Sequence, residues 1–230
     1  MEELSEEEKH KQLETELLAL LDQGLTPTFY RRTGKRILDI ALGVPLLILA
    51  TPIIAIAWVL IRLTSSGPGF FYQDRVGLNG RLFPCYKLRS MYVDQDHRID
   101  MNVLQKSEAE GVLVKLENDP RVSWIGKVIR KASIDELPQL WNVVKGDMSL
   151  VGPRPLVPHM VAPYPDLNAL RCQVKPGITG EWQVKARDDN RSLSGMVKHD
   201  FRYLKNCNFW TDLRLLVRTI PVVSSTRGAH

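Results

Sequence analysis

From Ile40 to Ile61 the chain carries no charged residue, a run long enough to cross the hydrocarbon core of a bilayer. A globular helix of that length needs a polar face, and this one has none, which argues against a buried core helix. Its middle reads Ala50-Thr51-Pro52, and both of its ends are basic: Arg31, Arg32, Lys35 and Arg36 precede it, and Arg62, Arg75 and Arg81 follow it. An excess of Lys and Arg marks the cytoplasmic side of a membrane segment. A straight span puts one cluster outside, whereas a helix that enters, breaks at Pro52 and returns keeps both inside. Pro52 has no N–H and clashes with the turn before it, so a break there has a cause. Thr51 can bond back to a carbonyl that the break frees. Pro45 offers a second bend. The expectation is a re-entrant membrane helix, with an ordinary span kinked at proline as the alternative.

The 230 residues hold one sizeable domain besides this anchor. The formal charge of +5 suits anionic headgroups, a phosphorylated substrate or nucleic acid. Cys85, Cys172 and Cys207 form no CxxC pair and no metal-ligand cluster, which fits a reducing compartment. The apolar run follows an acidic, polar N-terminus and no small-residue cleavage site follows it, so it does not read as a cleavable signal peptide.

The organisation expected is an amphipathic extension over 1–30, a basic flank with the re-entrant helix over 31–69, and a cytosolic domain over 70–230. In the extension, Leu13, Leu17, Leu18, Leu20 and Leu21 recur at roughly helical spacing. Phe70-Phe71-Tyr72 and residues 82–86 read as strands around the turn at 77–80. Residues 94–117 read as a helical or loop insertion, 122–130 and 137–144 as helices, and 213–223 as a last amphipathic helix. The five prolines between Val151 and Pro165 rule out regular helix there. The fold class is α+β, mainly helical.

Charged groups concentrate in one stretch. Arg130-Lys131-Ala132-Ser133-Ile134-Asp135-Glu136 runs on to Lys145 and to Pro153-Arg154-Pro155. Ser133 followed three residues later by Glu136 reads as a capping box opening a helix, and then Asp135 and Glu136 are ordinary first-turn acids. Set among Arg130, Lys131, Lys145 and Arg154, however, the same two carboxylates read as part of a phosphate site. Carboxylates there hold Mg²⁺ or attack phosphorus.

Several motifs, in this order, make the chain resemble the bacterial sugar transferases, the monotopic polyprenyl-phosphate phosphoglycosyl transferases. They are the basic-then-apolar anchor with a central break; Tyr86-Lys87-Leu88-Arg89-Ser90-Met91; Asp119-Pro120-Arg121; Arg130 through Asn142; Gly146 through Pro155; Lys175-Pro176-Gly177-Ile178-Thr179-Gly180; and Asp200 before Tyr203. The resemblance runs from about Arg32 to Ser225. Two departures stand out: Thr51-Pro52 where Ser-Pro is frequent, and Glu181 through Arg187, which lacks the Gly or Asn-Gly frequent before the arginine.

The resemblance implies a bacterial enzyme on the cytoplasmic face of the inner membrane. It would move sugar-1-phosphate from a UDP-sugar to a polyprenyl phosphate such as undecaprenyl phosphate, releasing UMP. That reaction initiates exopolysaccharide, capsule, O-antigen (lipopolysaccharide) or glycan assembly. Asp135 is then the nucleophile, with Glu136 and Mg²⁺ neutralising the diphosphate and Asp135 a second metal ligand. Lys87, Arg89, Arg130, Arg154 and Arg187 are the candidate phosphate clamps, and Thr51 and Pro52 form the membrane break. Membrane lipids are partners; homo-oligomerisation is compatible with the sequence. A nucleic-acid-binding role would use the net charge, but aromatics do not interleave with the basic residues. A non-catalytic basic membrane scaffold explains the anchor but not an acidic pair among arginines. One apolar segment is too few for a multispanning transferase.

Overall fold

The computed structural model describes residues 25, 28–93, 119–185 and 193–224. The expected helix over 1–24 and the insertion at 94–117 lie outside the described residues. The described residues are mostly helical with a few short strands, and one helix among them is long and apolar enough to cross a membrane.

That helix, α1 (Lys35–Thr64), follows a π-helical turn at Tyr30–Gly34. Its backbone stays helical through Pro45 and Pro52. The expected break at Pro52 is not seen: the helix runs on unbroken, and the Thr51 hydroxyl donates to the Leu47 carbonyl at 2.8 Å, beside the bond that Pro52 cannot make.

The buried residues of α1 are Lys35, Asp39, Gly43, Ala50, Ala57 and Ile61, spaced by four or seven residues along one stripe. That stripe packs on the rest of the protein along the whole helix. At its start, Lys35 pairs with Asp212 at 2.5 Å. Asp39 accepts from the Ser149 hydroxyl at 2.8 Å and from the Leu150 N–H at 2.9 Å. Arg36 donates to the Val143 and Val144 carbonyls at 2.6 and 2.7 Å. In the middle Ala50 joins a core with Leu140, Val143, Met148 and Leu150. Toward the end, Ala57 and Ile61 pack with Leu88, Ile125 and Ile129. Ile48, Leu49, Ile53, Ile56 and Leu63 remain exposed on α1.

Strands β1 (Phe70–Val76) and β2 (Leu82–Leu88) form the expected antiparallel hairpin, with Phe71 opposite Lys87 and Arg75 opposite Phe83. Helix α2 (Trp124–Lys131) starts at Ser123, whose hydroxyl accepts from the Gly126 N–H at 3.0 Å. A 3₁₀ turn at Ile134–Glu136 leads to α3 (Gln139–Lys145). Next come β3 (Ser149–Val151), α4 (Pro158–Val161), α5 (Pro165–Arg171) and β4 (Gly177–Thr179), with β4 pairing in parallel with β3. The proline-rich stretch thus holds one short helix, α4, with Pro158 in its first turn, where no N–H is needed. The chain closes with α6 (Glu181–Lys185), α7 (Leu193–Lys205) and α8 (Phe209–Ser224). A second core, including Leu156, Met160, Leu170, Trp182, Met196 and Phe201, binds α4 to α7 together.

Candidate active site

The turn that carries Asp135 and Glu136 is not the capped helix start expected from the sequence. Ser133 takes the left-handed conformation (φ 55°, ψ 21°), and its side chain caps nothing. Its N–H instead accepts the role of closing the preceding helix, donating to the Arg130 carbonyl at 3.0 Å. A residue other than Gly in this region is uncommon and marks a tightly determined turn. The turn reverses the chain between α2 and α3 and presents both carboxylates in a 3₁₀ segment. Ile134, just before them, packs on the same cluster as Ile54 of α1, so the acidic pair sits beside the middle of the apolar helix.

Lys87 reaches this turn from β2. Its Nζ lies 2.7 Å from Glu136 Oε1. Arg154 Nη2 approaches the same oxygen at 3.6 Å from the Pro153-Arg154-Pro155 corner. An open cleft lies between them, lined among others by Arg75, Cys85, Lys87, Glu136, Gln139 and Arg154. Because strand side chains alternate with a period of two and opposite residues share a face, the hairpin register places Arg75 on the same face as Lys87. The sequence marks Arg75 only as a basic flank of the apolar run, and Gln139 not as a site residue. The hairpin register could have revealed the first, and the three-residue step from Glu136 the second.

The Asp135 carboxyl is pushed up to about 6, first by burial and then by the negative charge of Glu136; Lys87 and Arg130 oppose the shift. Two adjacent carboxylates resist ionising together unless cations compensate. Arg130 is held by Ser90, its Nε donating to Ser90 Oγ at 2.8 Å. Burial disfavours the charge of Arg130, while Asp135 and then Asp119 support it. Asp119 is engaged by Arg121 through Nε at 3.1 Å and Nη2 at 2.9 Å. Gly126 lets α2 approach Ser90: a Cβ at that position would stand 1.9 Å from the Ser90 carbonyl oxygen.

The structure thus gathers Lys87, Arg130 and Arg154 around Asp135 and Glu136. Arg89 goes elsewhere. It is buried and donates to the Ser66 carbonyl and, from Nη2, to the Ser65 carbonyl at 3.1 Å and the Ser65 hydroxyl at 2.9 Å. It satisfies backbone groups left free at the end of α1, because residue 89 falls just past the strand where the chain meets that end. Arg187 lies outside the described residues. Thr51 and Pro52 are exposed on α1.

The donor set fits a hard divalent cation held jointly with substrate. Among the described residues no three Asp, Glu, His or Cys side chains come together for a full cage. Mg²⁺ typically takes one or two carboxylates plus phosphate oxygens, and a cation there would offset both the burial of Asp135 and its repulsion by Glu136.

A family model described as bacterial sugar transferase matches residues 30–226. The chain is 44% identical over 196 residues to a galactosyl transferase, CpsE, of Streptococcus agalactiae, covering 85% of this chain and 43% of that protein. It is 41% identical over 200 residues to an undecaprenyl-phosphate galactose phosphotransferase of Salmonella typhimurium, covering 85% and 41%. With a UDP-glucose:undecaprenyl-phosphate glucose-1-phosphate transferase of Caulobacter vibrioides it shares 36% identity over 224 residues, covering 94% and 79%. The chain therefore spans about two-fifths of the first two relatives and most of the third. With the motifs of the acidic turn, the Pro-Arg-Pro corner and the apolar helix all inside the matched region, the chain belongs to the bacterial sugar transferase family.

Proposed function

We propose that this protein transfers sugar-1-phosphate from a UDP-sugar to undecaprenyl phosphate or a similar polyprenyl phosphate, in two displacements through Asp135. In the first, a carboxylate oxygen of Asp135 attacks the β-phosphorus, the bond to the bridging oxygen breaks, and UMP leaves with that oxygen. In the second, a phosphate oxygen of the polyprenyl phosphate attacks the same phosphorus. The Asp135 O–P bond breaks, giving polyprenyl-diphosphate-sugar and the free carboxylate. Splitting a transfer in this way is what a covalent nucleophile provides. The observation that carries this reading is the acidic turn itself: Glu136, paired with Lys87 and approached by Arg154, lines the cleft, and the adjacent Asp135 feels the charges of Glu136, Lys87 and Arg130.

The protein groups have separate tasks. Lys87 and Arg154 hold Glu136 and face the cleft, where they would bind diphosphate oxygens and stabilise charge on the leaving group. Arg130 supports the ionised form of Asp135. Mg²⁺, bound by Asp135, Glu136 and substrate phosphate, would supply further charge neutralisation. The relatives' names include galactose and glucose donors at comparable identity, so the sugar must be found by assay.

The anchor fits this chemistry as a re-entrant helix in the cytoplasmic leaflet. Lys35, Arg36 and Asp39 at one end and Ala57 and Ile61 at the other all pack on the same domain, which supports both ends lying on one side. The exposed face of α1 would meet lipid, which would bring the acidic turn packed beside this helix within reach of a lipid-borne phosphate.

The test is UMP release by the full chain in detergent, with Mg²⁺, undecaprenyl phosphate and a panel of UDP-sugars. UMP formation with at least one donor is expected. No release with any UDP-sugar would refute the reading.

A further inference from the structure

The corner that presents Arg154 is held entirely through carbonyls, since Pro153 and Pro155 offer no N–H. The Pro153 carbonyl accepts from the Gly177 N–H at 2.9 Å, and the Leu156 carbonyl from the Val76 N–H at 3.0 Å. The Pro155 carbonyl accepts from Arg75 Nη1 at 3.3 Å. The Arg154 carbonyl accepts from Arg171 Nη2 at 2.8 Å. Arg171 differs from the other donors: its side chain is buried, and its Nε is paired at 2.7 Å with Asp200 Oδ2, also buried.

We propose that Arg171 and Asp200 are positioning residues, whose buried ion pair fixes the Arg154 carbonyl and so aims the Arg154 guanidinium at the cleft. The inference rests on the phosphate-site reading of Arg154 given above. A buried charge pair is an expensive way to join α5 to α7, since well-packed apolar side chains would do so at least as well. What apolar side chains cannot do is donate to a carbonyl. Arg171 does both with one planar fork: Nε faces Asp200 from α7, and Nη2 reaches the peptide of Arg154. Asp200 holds the fork in register. Lysine, with a single point charge on a flexible stem, can answer Asp200 but cannot serve both partners with fixed geometry. Arg171 and Asp200 border the core formed by Leu170, Met196, Val197 and Phe201, which ties the aim of Arg154 to the packing of the distal helices.

The experiment measures UMP release by the full chain in detergent, using whichever UDP-sugar the panel identifies. Arg171→Lys is expected to keep its melting temperature within a few degrees and lose turnover by about ten-fold or more, the scale of a small misplacement of a phosphate-binding group. In an Arg154→Ala background the same substitution should change the residual turnover by less than about two-fold, because the group it aims is gone. Should Arg171→Lys fail to fold, the double replacement Arg171→Met with Asp200→Leu fills the site without charge and should show the same loss and the same lack of effect in Arg154→Ala. Normal turnover in these variants, or a loss that multiplies with that of Arg154→Ala, overturns the inference while leaving Arg154 in the phosphate site. A silent Arg154→Ala overturns the phosphate-site reading, and this inference with it.

Discussion

Replacing Asp135 by Asn should make the protein inactive and more stable at neutral pH. In the folded protein the Asp135 carboxyl titrates at about 6, against 3.8 for an unperturbed group. The folded state therefore binds more protons than the unfolded state between these values, and the wild type loses stability as pH rises through that window. A shift of about two pH units corresponds to a ceiling of about 3 kcal/mol, at about 1.4 kcal/mol per unit. Asp135 is partly exposed, and solvent screening brings the expected effect to about 1–2 kcal/mol. Asn cannot ionise and is free of this cost. For a chain of this size the gain is worth roughly 3–6 °C in melting temperature. Thermal melts of both proteins in one detergent, without nucleotide or divalent cation, test it. At pH 7.5 Asp135→Asn should melt higher; at pH 5 the gap should shrink to about half, and near pH 4 it should close. A variant that melts lower than wild type at pH 7.5, or a gap that ignores pH, refutes the burial and like-charge account of this turn.

Arg154→Lys should fold normally and lose turnover by roughly ten-fold or more, since lysine keeps the charge but not the planar fork, a loss on the scale of one charge-assisted hydrogen bond; near-normal turnover would make Arg154 a structural cation. Arg89→Ala should lower stability by about 1–2 kcal/mol, from carbonyls left without a donor at the end of α1, with the UDP-sugar KM unchanged, whereas Lys87→Ala should raise that KM. Because Cys85, Cys172 and Cys207 are buried, cysteines introduced at the exposed positions Thr33 and Pro68 can be labelled selectively. In intact cells a membrane-impermeant reagent should label neither, and labelling of one alone would establish a spanning helix.

Much of the architecture could be read from local pattern. The uncharged run announced α1, and the short aromatic and apolar runs on either side of the turn at 77–80 announced the hairpin. Ser133 shows where pattern misleads. Ser followed three residues later by Glu has the spacing of a capping box, but α2 ends at Lys131, and the chain must reverse within a few residues to start α3. Tertiary packing of Ile134 against the cluster that includes Ile125 and Ile129 favours the left-handed turn over the helix. The basic residues around α1 were read as markers of membrane side. Lys35, Arg36 and Arg62 also bond protein groups, a role that depends on partners more than a hundred residues away for the first two. For the same reason, sequence could group Lys87, Arg89, Arg130 and Arg154 by charge but could not separate Arg89, whose direction is set by where β2 meets the end of α1. Arg171 carries no local signal at all: its meaning lies in a carbonyl on one segment and a carboxylate on another.

The central claim is that Asp135 carries the phosphosugar between donor and acceptor. Intact-protein mass spectrometry on the full chain, incubated with Mg²⁺ and its UDP-sugar but no polyprenyl phosphate, tests it most directly. The account predicts a covalent adduct of one sugar phosphate, absent from Asp135→Asn and discharged when undecaprenyl phosphate is added. An unmodified wild-type protein that forms UMP only when both substrates are present would contradict it and point to direct transfer in a ternary complex.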